Sequence, residues 1–217
     1  MADPLTLAEF FSGLKISKVS FHLPGVRQHS RTAGGEVLSA VIGASLWRGT
    51  VTLAAGYHRS ISAVQAVLED LDRAGDPFLA HAMPVWAPAY DPTGSILNGY
   101  TPVLSSVAGD NHRCALSGLP PGYRLAQGEM LAFTYGTGPV RYALHRVRSL
   151  SVAASQAGTT GLFDVVPHIR PGWATGTAVT LIRPACKAVI LPGSIRWPNS
   201  APLISEGISF DFIQTLR

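Results

Sequence analysis

Charge is scarce in this chain. Lys, Arg, Asp and Glu together make up 14% of its 217 residues, against roughly 25% in an average soluble domain. That suggests a surface largely covered by partners or, alternatively, a β-rich monomer with a polar, uncharged surface. Cysteine is nearly absent. Cys114 and Cys186 alone do not make a disulfide-dense scaffold, and no zinc-type spacing exists. They stand near the two ends of one central stretch, where they are candidate neighbours, and they also fit two buried thiols of a protein made in a reducing cytosol. No run approaches 18 apolar residues, so no helix is expected to span a membrane. Met1-Ala-Asp-Pro4 lacks the basic start and apolar core of a secretory signal.

Recurrent catalytic signatures are missing too. Gly94-Ser95 and Gly193-Ser194 lack the second glycine of a nucleophile elbow. There is no P-loop and no GxGxxG after a strand. None of the seven histidines (His22, His29, His58, His81, His112, His145 and His168) forms an HxxxH or HExxH pattern. The expectation is a protein that is not an enzyme, with no catalytic, cofactor-binding or metal-ligating residue assigned and no cofactor.

Turns and apolar residues are plentiful: 22 glycines, 16 prolines and 47% hydrophobic residues. Leu116 to Ala188 reads as short strands separated by glycine and proline. Leu125 to Phe133, Val140 to Leu150, Phe163 to Ile169 and Ala178 to Ile182 are its segments, which suit a small antiparallel barrel or sandwich. Charge divides the chain in the same way. Residues 113–196 carry nine Arg or Lys against Glu129 and Asp164, whereas residues 1–112 carry seven against nine acidic residues. The basic residues are dispersed and lack interleaved aromatics, so nucleic-acid binding is not expected.

Before the central stretch, Leu5 to Leu14 suggests a short helix with Thr6 and Glu9 as a capping box. Ile16 to Phe21 alternates as a weak strand. Residues 22–36 are polar and glycine-containing and read as an exposed loop or protruding hairpin, a contact arm carrying His22, Pro24, Arg27, His29 and Arg31. Leu46 to Ala54 is the clearest strand, with Trp47, Gly49, Val51 and Leu53 on one face. Residues 62–74 are the clearest helix. Ser62 and Gln65 have capping-box spacing, Val64, Val67, Leu68 and Leu71 form one stripe, and Gly75 ends it. That stripe is expected to pack on the Trp47 sheet. Phe78 to Val85 reads as a strand, and Ile208 to Leu216 as a strand returning to the first module. The fold expected is therefore mainly β: a β-sandwich with one packed α-helix over 1–99, closed by 197–217, and a barrel-like domain inserted at 100–196.

Two weaker constellations lie in the inserted domain. Glu129 and Asp164 are its only carboxylates and would have to meet for glycoside chemistry. Tyr123, Tyr135 and Trp173 are a candidate glycan- or partner-binding surface, although such residues more often plug a barrel end or an interface.

The order of these features carries a resemblance. Trp47-Arg-Gly49, the helix and Gly75-Asp-Pro-Phe78 come first. Leu116-Ser-Gly-Leu119, Gly122-Tyr-Arg-Leu125, Gly128-Glu-Met-Leu131, Arg141-Tyr-Ala-Leu144, Val166-Pro-His-Ile169-Arg-Pro171 and Thr177-Ala-Val179 leading to Arg183-Pro184 follow. Over about residues 45–195 this resembles the distal tail proteins of the tail tip in long-tailed bacteriophages and prophages. The resemblance implies a virion protein assembled in the host cytoplasm. It also implies a homo-oligomeric ring, hexameric in such a family, joining the tail tube protein to baseplate hub and fibre proteins. Alternatives are a carbohydrate- or receptor-binding tail module contacting a host surface glycan, a hub subunit or a tube terminator.

Overall fold

A computed structural model describes residues 3–83, 85–200 and 202–217. The protein is mainly β with one α-helix, and its antiparallel sheets include a half-barrel and a nearly closed barrel. The chain divides into two compact units. One is built from Gly13–Pro77 and Ala188–Thr215, the other from Pro4–Ser12, Phe78–Lys187 and Leu216–Arg217.

In the first unit, the strand Arg48–Leu53 lies between Ile16–His22 and Ser209–Gln214, antiparallel to both. Ser209–Gln214 in turn pairs with Ala188, Val189 and Ile190. Alternation sets the faces. Gly49, Val51 and Leu53 point inward with Phe210 and Phe212, while Arg48 and Thr50 face solvent. Trp47 is fully buried beside Phe21, at 5.3 Å between ring centroids, and Phe21 also meets Phe212 at 5.7 Å. Gly49 is required here, because a Cβ would collide with the Phe212 ring at 2.5 Å and with the Ser20 carbonyl.

The helix runs His58–Ala74, four residues earlier than the sequence pattern places its start. Its N-cap is Tyr57, which makes no side-chain cap bond. Ser62 and Gln65 therefore sit inside the helix, and the Gln65 amide donates to Glu69 Oε1 at 2.9 Å. The early start has a tertiary cause. Gly56 and Tyr57 pair with Ser205 and Ile204, and His58 Nδ1 bonds to Ser205 Oγ at 2.7 Å, which fixes the first turn. The buried stripe is Ile61, Leu68 and Leu71 with Val64 half-buried, whereas Val67 is exposed. The helix meets Gly56–Tyr57 and Ile204–Glu206 of the small sheet. Gly75 closes it in the left-handed region, φ 66°, and donates to the Leu71 carbonyl.

In the second unit, Thr6 and Glu9 form the capping box: each backbone N–H donates to the other's side chain, at 2.7 and 3.3 Å. No α-helix follows, only turns and a 3-10 turn at Phe11–Gly13. The segment before Gly13 is too short to sustain a helix on local energy. Phe10 and Phe11 instead pack on Phe78, at centroid distances of 5.0 and 6.4 Å. Phe78 to Val85 is strand only over Phe78–His81, and Pro84 lies outside the described residues.

The main sheet of this unit runs, in spatial order, Val179–Thr180, Met130–Tyr135, Arg141–Val147, Phe163–Val166, Arg113–Ser117 and Val103–Val107. Its two edges nearly meet. Val103 bridges Ala178, Leu104 N–H donates to the Thr177 carbonyl, and Val179 N–H donates to that of Pro102. A hairpin-like pair, Arg124–Ala126 with Ser151–Ala153, stands beside it. The interior holds Leu104, Leu116, Leu125, Leu131, Phe133, Val147, Phe163 and Ile169. Cys114 and Cys186 are both free and buried, with burial pushing each thiol up to about 12. Thiols held so firmly protonated are inert.

Candidate functional site

The element least explained by the fold of its own unit is the hairpin Arg27–Arg31 with Val37–Val41. The pairing is regular, from Arg27 opposite Val41 to Arg31 opposite Val37, and Ile42 N–H extends it to the Val26 carbonyl at 3.1 Å. The turn is closed by Thr32 and Gly35. Thr32 N–H donates to the Glu36 carbonyl at 3.0 Å, the Thr32 hydroxyl accepts from Glu36 N–H at 3.2 Å, and Gly35 takes φ 85°. Of the sequence-predicted arm residues, Arg27, His29 and Arg31 lie on its first strand. His22 ends the strand Ile16–His22, and Pro24 is in the connection between the two. Arg27, His29 and Arg31 share one face with Val37, Ser39 and Val41 across the ladder.

All ten strand residues are exposed. Val37, Leu38, Val41 and Ile42 are 58, 55, 71 and 63% accessible. On the opposite face Gln28, Ser30, Leu38 and Ala40, together with Ser39 of the first face, line an open concavity of about 330 Å³. Among the described residues no third strand joins either edge. A lone two-stranded hairpin is marginally stable in water, and free edges carrying apolar side chains are templates for another chain. The second strand, VLSAV, was the missed half of this element. Its alternation is weak, and its partner strand has no apolar residue to mark a face.

The second predicted surface does not form. Tyr123 is 1% exposed and packs edge-on against Tyr90, at 5.5 Å. Tyr135 is 6% exposed, beside Phe133 and under the Arg141 guanidinium at 6.0 Å. Trp173 is half-buried against the same core. A sugar-stacking ring needs an open face, which neither tyrosine has. Both hydroxyls are buried without a hydrogen-bond partner. Burial raises both phenol pKa values, with further help at Tyr123 from the Asp91 and Glu129 carboxylates. Glu129 is itself a loop clip, since its two oxygens accept from Ala89 N–H at 2.7 Å and Ala126 N–H at 2.9 Å. Asp164 lies across the ladder from Arg113.

Two histidine features depend on long-range pairing. His145 is fully enclosed and stacked on Phe133 at 5.4 Å. Its Nδ1 bonds to the Pro167 carbonyl at 2.8 Å, and its Nε2 has no partner. Desolvation lowers its pKa to about 4. His112 and His168, 56 residues apart, bring their Nε2 atoms into direct contact at the surface. Among the described residues no group of three or more His, Cys, Asp or Glu is placed to hold a metal ion, and no helix is long and apolar enough to cross a membrane. No family model matches the chain, and no curated protein matches it in sequence.

Proposed function

We propose that this chain is a structural subunit that works by assembling with copies of itself, and that the exposed hairpin is the contact element. The observation that carries this reading is the hairpin's accessibility: ten paired residues with two free edges and four large apolar side chains in water. Strand addition at such an edge supplies main-chain hydrogen bonds, and the valine and leucine side chains add apolar burial. The contact joins the hairpin of one copy to a different surface of the next. Contacts of that heterologous kind form a ring when the rotation closes.

The finer reading rests on the sequence resemblance. In it the protein is the distal tail protein of a long-tailed phage or prophage, a virion component whose ring links the tail tube to the hub and fibres. It then acts by fit and repetition, without catalysis.

Replacing residues 27–41 by a short Gly-Ser loop tests the assembly reading. The expected product is a folded subunit that stays monomeric by light scattering where the intact chain forms a closed oligomer. An intact chain that is monomeric at high concentration, alone and when expressed with its tail neighbours, overturns it. So does normal ring formation by the loop variant.

A further inference from the structure

We propose that His112 and His168 form a two-imidazole site for a borderline divalent cation of the Zn²⁺, Ni²⁺ or Cu²⁺ class, at the surface of the second unit. This is independent of the assembly reading.

The backbone fixes both side chains from each side. His112 follows the turn at Asn111, φ 57°, and precedes the strand Arg113–Ser117, whose Cys114 is wholly buried. His168 follows the strand Phe163–Val166 and precedes Ile169, also buried. Two main-chain bonds tie the segments together. Val165 N–H donates to the His112 carbonyl and Ile169 N–H to that of Asn111, both at 2.8 Å. The ring planes stand at 76° to one another, 3.6 Å between centroids, with the two Nε2 atoms in contact.

Two neutral imidazoles in this contact share one Nε2–H···Nε2 hydrogen bond, and a cation that takes the place of that proton would draw a lone pair from each ring. A tetrahedral ion at about 2.0–2.1 Å from each nitrogen holds the two about 3.3 Å apart. The exposed side chains reach that spacing by small rotations, and water completes the coordination. Imidazole suits zinc, nickel and copper over calcium or magnesium.

The charged neighbours of the pair balance one another. Asp110 accepts from His112 N–H at 3.0 Å, and its other oxygen is ion-paired with Arg113 at 3.2 Å, so the acidic group offsets the nearby guanidinium.

Titration of the full chain with ZnCl2, and separately NiCl2, by calorimetry tests the site. One equivalent is expected to bind. His112→Gln and His168→Gln should each weaken binding by about tenfold or more, while His29→Gln leaves it unchanged. Both histidines are exposed, so the variants should fold, which circular dichroism checks. Substoichiometric Ni²⁺ should broaden the imidazole signals of these two residues first. No saturable binding below about 1 mM, or binding that survives both substitutions, overturns the proposal.

Discussion

Two hairpins of this protein have the same backbone and opposite surroundings. Arg27–Arg31 pairs with Val37–Val41 through five consecutive residue pairs, and Met130–Tyr135 pairs with Arg141–Val147 through six. In the first, every side chain is exposed; in the second, five residues of Met130–Tyr135 are buried and only Thr134 is exposed. Main-chain hydrogen bonding is therefore common to both, and apolar burial is the variable. Because a hydrogen bond formed in water gains little net free energy, the second hairpin is held by its core. The first has no such support within its unit, so its order depends on what covers it.

The largest break in this comparison comes from the buried member. Leu131 has no accessible surface and touches the interior of the nearly closed sheet. Leu131→Ala should cost about 2–5 kcal/mol through lost transfer energy and the cavity left behind. Urea denaturation followed by circular dichroism measures it. A loss below about 1 kcal/mol would mean that the barrel interior is loosely packed and that the contrast is overstated.

Acid sharpens the contrast next, again through the buried hairpin. His145 lies on it opposite Leu131 and has its pKa depressed to about 4, first by burial, with the Arg170 charge adding to the effect and the Pro167 carbonyl opposing it. Between the unfolded histidine value near 6.5 and about 4, the unfolded chain binds a proton that the folded chain refuses. Stability is thus complete above about pH 6.5 and falls as pH is lowered through that window, by on the order of 3 kcal/mol. His81, also depressed by burial, acts in the same direction. His145→Gln keeps a donor for the Pro167 carbonyl and should flatten most of the slope in denaturation curves taken from pH 7 to 4. An unchanged slope would assign the effect elsewhere.

What was legible in the sequence follows the same line between local and distant forces. The inward face of Arg48–Leu53 and of Ser209–Gln214 was readable because a strand's period is a local property. So was the Gly75 stop, which needs only one backbone conformation. The Thr6–Glu9 capping box was read correctly as chemistry and wrongly as a helix, since Phe10 and Phe11 answer to Phe78, far along the chain. The helix start moved because Ser205 holds His58. The arm was placed by its polar, glycine-containing composition, but the apolar strand completing it carries no local sign of exposure. Tyr123 and Tyr135 fitted either an aromatic platform or a barrel plug on sequence alone, and both are core residues. The meeting of His112 with His168 depends on the pairing of Phe163–Val166 with Arg113–Ser117, which no spacing rule reports.

The smallest expected change in stability is at the exposed hairpin, and it is the most telling. Val41→Ser and Leu38→Ser remove side chains that already contact water, so each should alter unfolding free energy by less than about 0.5 kcal/mol. Their effect should appear in hydrogen exchange. In dilute protein the amides of 27–41 should exchange through local opening that costs almost nothing, while those of 130–147 exchange near the global limit. Raising the concentration until copies associate should protect the 27–41 amides in the intact chain and leave them unprotected in the double serine variant. If dilute, monomeric protein already protects 27–41 as strongly as 130–147, the hairpin is stable by itself, and its exposed valines no longer require a neighbour to cover them.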